Sequence, residues 1–126
     1  MSDLKLEPYA ARLRWEQADK TSSADWPRIM SEFTEGLARR CDSVGGCVIG
    51  HIKGFAELPE GGYLRVNAVS PRLPADVTVQ SPGPYNQFTL TLNVLVYGLS
   101  SDLLQRLTEQ AANEAAARFG AVANLI

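Results

Sequence analysis

His51, Lys53, Tyr63, Arg65 and Asn67 are the residues of this chain whose types and spacing suit chemistry. They stand at alternate positions of two short segments, and alternate residues of a β-strand share one face. On a common sheet face they bring together an imidazole, an ammonium, a guanidinium, a phenol and an amide. That set suits capture of an anionic small molecule, with His51 able to move a proton at neutral pH. No serine or cysteine stands with a base and an orienting partner, and no carboxylate pair is suggested. A catalytic residue therefore cannot be named, and the reading leans away from an enzyme. The function expected is a non-catalytic, self-associating accessory or protein-interaction domain. A small-molecule-binding domain or small enzyme, using the open face around His51, Lys53 and Arg65, is the alternative.

Two further constellations fail on geometry. Cys47 and His51 lie four residues apart on one strand, a span of about 13 Å, whereas zinc ligands must converge within about 2.3 Å of one ion. Cys41 and Cys47 flank a glycine loop with no further ligands near, so no metal and no cofactor is expected. Gly45, Gly46, Gly50 and Gly54 surround Lys53, but a phosphate loop needs its lysine followed by Ser or Thr at a helix start. Gly54 and Phe55 follow Lys53, inside a strand. Gly50 and Gly54 are read instead as close-packing positions beneath a helix.

The elements that must position these residues follow from turn and cap signals. Segments 47–58 and 62–69 form a hairpin closed by Pro59, Glu60 and Gly61, a three-residue loop with glycine at its left-handed position. This sets Ala56 opposite Leu64, Gly54 opposite Val66 and Ile52 opposite Ala68, each pairing small with large on a core face. The other face then carries Glu57 with Tyr63, Phe55 with Arg65, Lys53 with Asn67 and His51 with Val69. Residues 87–97 alternate strictly, with Phe88, Leu90, Leu92, Val94 and Val96 on one side. Asp25 caps a helix whose stripe is Trp26, Ile29, Met30, Phe33, Leu37 and Cys41. A last helix runs from about 103 to 119, capped by Asp102 with Gln105 closing a capping box. Residues 8–18 read as helix from the spacing of Tyr9, Ala10 and Leu13. The four prolines of 70–85 leave room for no more than a short edge strand at Val77–Val79.

The fold expected is α+β, a three- to four-stranded antiparallel sheet with helices on one face, in the order α-β-β-(β)-β-α. A single domain spans 1–126, with 1–22 its weakly determined N-terminal segment. This order resembles the double-stranded-RNA-binding domain, which implies backbone-gripping lysines at the start of the last helix. That position here reads Ser100-Ser101-Asp102-Leu103-Leu104, and the net charge is −2. Nucleic acid is therefore not an expected partner. No apolar run approaches the ~20 residues of a membrane span, so no membrane is expected either. The polar start and two cysteines make the cytoplasm the expected compartment.

A surplus of apolar side chains points to association. Ile49, Phe55, Leu95 and Tyr97, with Leu125 and Ile126, lack an intramolecular partner in this arrangement. They are expected to form a homodimer interface on the odd-numbered sheet face or along the edge of the long strand. The competing arrangement folds 1–22 back over that face, with Leu4, Leu6, Tyr9, Leu13 and Trp15 as its cover.

Overall fold

The computed structural model describes residues 8–18 and 25–126. Along the chain run β1 (Tyr9–Gln17), α1 (Trp26–Val44), β2 (Val48–Glu57), β3 (Tyr63–Ala68), β4 (Asp76–Gln80), β5 (Gln87–Tyr97), α2 (Ser101–Arg118) and β6 (Ala121–Leu125). Among the described residues the sheet has six strands in the order β4-β3-β2-β5-β1-β6, and every neighbouring pair is antiparallel. The α+β class fits. The expected three- to four-stranded sheet is corrected to six strands, because both ends of the chain contribute one.

Residues 8–18 are strand rather than helix. Leu13, Trp15 and Gln17 are buried while Arg12, Arg14 and Glu16 point the other way, a period of two that overrides the helical spacing of Tyr9, Ala10 and Leu13. This strand pairs with β5 on one side and β6 on the other. Strands β1 and β2 thus run parallel with β5 between them, and β5 and β6 run parallel with β1 between them. The core of the fold is two interleaved split β-α-β units, extended at one edge by β3 and β4.

Both helices pack on the same side of the sheet. Asp25 caps α1, its Oδ1 accepting from the Arg28 N–H at 3.4 Å, with Pro27 in the first turn. The expected stripe, from Trp26 through Cys41, is buried throughout. In α2 the cap is Ser100, not Asp102: its Oγ accepts from the Leu103 N–H at 3.2 Å. Leu104, Leu107, Ala111 and Ala115 are buried, as are Ala112 and Ala116, which widen the stripe. Ion pairs Arg40–Glu114 and Arg118–Glu32 tie the two helices at the surface. Exposed pairs of this kind contribute under about 1 kcal/mol each; the burial between helices and sheet does the holding. Ile52, Val66, Leu90, Leu92, Phe33, Leu37, Leu104 and Leu107 all belong to one buried cluster.

The hairpin has the register expected of its loop. Gly61 takes φ +81° and Glu60 also has positive φ, at 60°. The Leu58 N–H donates to the Gly62 carbonyl at 2.8 Å. Lys53–Asn67, Phe55–Arg65 and Glu57–Tyr63 are paired as the loop dictates. Gly54 is a packing position: a Cβ there would meet Leu90 and Val66 side-chain atoms at 2.9 Å. Gly50 has a different role, because the β2–β5 register shifts between Ile49 and His51. A β-bulge there turns the strand over.

Candidate functional site

With both helices on one side, the second sheet face carries no helix among the described residues. Two adjacent rows cross it. One runs Asp76, Asn67, Lys53, Asn93 and Ala10; the next runs Thr78, Arg65, Phe55, Thr91 and Arg12. Side chains of these rows line a concave region of about 590 Å³ over β4, β3, β2 and β5. Lys53, Arg65 and Asn67 come together there as expected.

Phe55 and Arg65 line the concavity and Tyr63 packs against both. The Phe55 and Tyr63 rings are stacked, with centroids 6.4 Å apart and planes 18° from parallel. The Arg65 guanidinium lies 4.9 Å from the Tyr63 ring centre, and its Nη2 donates to the Tyr63 hydroxyl at 3.4 Å. Stacking and hydrogen bond together fix a long side chain that would otherwise sample many rotamers. Phe55 remains 43% exposed. Asn67 Oδ1, in contrast, is buried and has no hydrogen-bond partner among the described residues, a cost that a donor from an incoming molecule would relieve.

The remaining expected residues are distributed differently. His51 pairs with Leu95 on the open face, half-buried, but does not line the concavity. Tyr97 is also half-buried. Alternation predicts Ile49 on the open face, yet it pairs with buried Val96 and packs against the core, because the bulge at Gly50 reverses its direction. Leu125 pairs with Leu13 and packs on the helix side as well, while Ile126 is 71% exposed. The long strand β5 has no free edge: β2 occupies one side and β1 the other. The alternative cover by 1–22 is corrected in part, since Tyr9, Leu13 and Trp15 belong to β1 and pack toward the helices. Leu4 and Leu6 lie outside the described residues.

Sequence reasoning missed Asp76, Thr78 and Arg12 as members of this face, whereas the alternation of 87–97 already assigns Thr91 and Asn93 to it. The signal for the first two was present, since Asp76, Thr78 and Gln80 alternate with Val77 and Val79. Arg12 was hidden by the helical reading of its segment.

Among the described residues the titrating groups with displaced pKa values are Tyr9, Cys41, Cys47 and Tyr85, and none lines the concavity. Burial raises each of them; Glu109 adds to the effect at Tyr9, the neighbouring Cys47 at Cys41, and Asp42 at Cys47. All four are thereby held in their neutral forms, the reverse of an activated nucleophile. Cys41 and Cys47 are free thiols, Cys47 Sγ donating to the Cys41 carbonyl at 3.3 Å. Among the described residues no group of three or more His, Cys, Asp or Glu gathers to hold a metal ion, and no helix is long and apolar enough to cross a membrane. Against known protein families, curated proteins and solved structures, the chain has no match.

Proposed function

We propose that this chain is a non-catalytic, self-associating interaction domain whose open sheet face is the contact surface for a protein partner. The observation that carries the reading is the Phe55–Tyr63–Arg65 cluster, accessible beside a concave, mixed polar surface. Interface hot spots are enriched in tyrosine and arginine held in place before binding, and interface cores favour aromatics with few free charges. A nucleic-acid reading is less well served. The two central strands, β2 and β5, carry Lys53 as their one lysine or arginine on this face among Phe55, Thr89, Thr91 and Asn93, and a net charge of −2 offers phosphates no broad basic surface. Two free thiols fit a reducing compartment, and we place the protein in the cytoplasm.

The concavity itself favours one second reading. Lys53 and Arg65 beside the unpartnered Asn67 Oδ1 suit a small anionic ligand that also carries a hydrogen-bond donor. The volume falls within the ~300–1,000 Å³ of small-molecule sites.

A photo-crosslinking amino acid in place of Phe55, introduced in the native cell, tests the first reading. Gln110 on the exposed side of α2 is the control position. Discrete adducts with one protein from position 55, absent from position 110, are the expected result. Equal labelling from both positions, or none from 55, contradicts it.

A further inference from the structure

The two edges of the sheet differ in a way that bears on self-association. At one edge, β4 is bracketed by Pro74 and by Pro82 and Pro84, and the Glu35 carboxylate takes the N–H of Ala75 at 3.0 Å. Prolines and short length are the usual guards of an edge strand. At the other, β6 reads Ala121-Val122-Ala123-Asn124-Leu125, with no charge, no proline and no bulge. Among the described residues no strand pairs with its outer side.

Hydrogen bonding settles which groups that outer side offers. The Ile126 N–H donates to the Arg12 carbonyl at 2.9 Å, and the Gly120 carbonyl accepts from Ala18 at 3.0 Å. Even-numbered residues of β6 therefore direct their backbone groups to β1. Consecutive residues of a strand point them to opposite sides, so Ala121, Ala123 and Leu125 present theirs outward.

From this we infer that two copies of the chain pair β6 against β6 in antiparallel fashion, about a twofold axis at Asn124, into one continuous sheet. The inference rests on the self-association proposed above. Only registers that pair odd with odd residues join the outward groups, which restricts the twofold centre to Val122, Ala123 or Asn124. The centre at Asn124 sets Ala123 opposite Leu125 of the second copy, small against large, each pair exchanging two hydrogen bonds. It also sets Val122, 47% exposed, opposite the 71% exposed Ile126. A centre at Ala123 joins one more hydrogen-bonded pair, but it opposes Val122 with Asn124 and sets Ile126 against Gly120, which has no side chain to cover it. The incoming Leu125 enters the notch of about 170 Å³ beside α2, where Leu13, Ala112, Ala123 and Leu125 offer apolar contact and Glu109 and Asn113 are the polar neighbours. No charged side chain of β6 meets its own copy. A self-complementary edge closes after two copies, and the guarded β4 edge prevents open-ended addition. Both open faces then lie side by side on one surface.

Five strand residues span about 17 Å, so the contact is smaller than the ~1,200 Å² of a standard stable interface. The dimer is accordingly a weak one, dissociating at micromolar rather than nanomolar concentration.

Sedimentation equilibrium of the full chain up to ~200 μM, a range that detects weak dimers, is run with three variants. Ala123→Pro removes an outward N–H and leaves the β1 ladder intact; circular dichroism checks that it folds. Phe55→Asp alters the open face. Asn124→Cys places a thiol against its own copy across a non-hydrogen-bonded pair, where Cα atoms lie about 4.5 Å apart, within disulfide reach. The expected results are a wild-type dimer, at least tenfold weaker association for Ala123→Pro, no such loss for Phe55→Asp, and a covalent dimer of Asn124→Cys under mild oxidation. A wild-type dimer indifferent to Ala123→Pro, lost with Phe55→Asp and giving no Asn124→Cys disulfide overturns the edge pairing but not self-association. A wild-type monomer throughout overturns both.

Discussion

Gly54→Ala is expected to destabilise the protein, although glycine-to-alanine changes in strands usually do the opposite. Gly54 sits in β2 between Val66 of β3 and Leu92 of β5, facing the helices. An added Cβ would lie 2.9 Å from Leu90 Cδ1 and from Val66 Cγ1, and 3.2 Å from Leu90 Cδ2. Carbon atoms settle about 3.5–4.0 Å apart, so two buried side chains on opposite neighbouring strands must both give way. Overpacking of this kind costs about 1–3 kcal/mol. Against it stands a gain of about 0.4–1 kcal/mol from stiffening the unfolded chain, so the net loss is about 1–2 kcal/mol. Gly83, whose Cβ would meet nothing within 4 Å, isolates the second effect. Gly83→Ala should be neutral or stabilising by up to about 1 kcal/mol. Leu90→Ala alone should cost about 2–5 kcal/mol, and the double variant with Gly54→Ala should cost less than the sum by about 1 kcal/mol, because the clash partner has gone. Urea unfolding of the four variants reads all these values. A stabilising Gly54→Ala, or strict additivity with Leu90→Ala, refutes the packing argument.

Leu92→Ala, at the centre of the core cluster, should cost about 2–5 kcal/mol in the same assay; a loss under about 0.5 kcal/mol is the range of surface positions. Gly61→Val should cost more than about 1 kcal/mol, since its φ of +81° suits no β-branched side chain, and calorimetry measures the drop in melting temperature. Burial pushes the Cys41 thiol up to about 12. Above pH ~9 the unfolded chain therefore releases this proton while the folded chain keeps it, and stability falls as pH rises through that window. Removing the thiol by Cys41→Ala should flatten that part of the pH profile, measured by urea midpoints between about pH 8 and 10.5.

The parts of the site that could be read from sequence are those fixed by local chemistry. Pro59, Glu60 and Gly61 determine a loop length, the loop determines a register, and the register puts Lys53, Arg65 and Asn67 on one face. The strict alternation of 87–97 likewise identifies the inward side of β5. Order among the strands has no such local signal. Arg12 and Thr91 are neighbours across the sheet, yet nothing near either residue announces the other. In β1, the spacing of Tyr9, Ala10 and Leu13 competes with the alternation of Leu13, Trp15 and Gln17, and a window this short does not separate the two periods. The five residues of β6 are shorter still, and they form a strand because β1 offers them an edge. Gly50 and Gly54 look alike in sequence; one is a bulge and the other a packing socket, and only the partner strand distinguishes them. That distinction moved Ile49 from the open face to the core.

The claim that the open face is where this domain meets its partner is tested most directly by placing a photo-crosslinking residue at Thr91, inside the concavity, and comparing two backgrounds. In the wild-type background the expected result is a discrete adduct. In a Phe55→Ala, Arg65→Ala background, the stability change should stay within about 1 kcal/mol, since both side chains are exposed, while the adduct falls at least tenfold. An adduct of unchanged yield in the folded double variant contradicts the account.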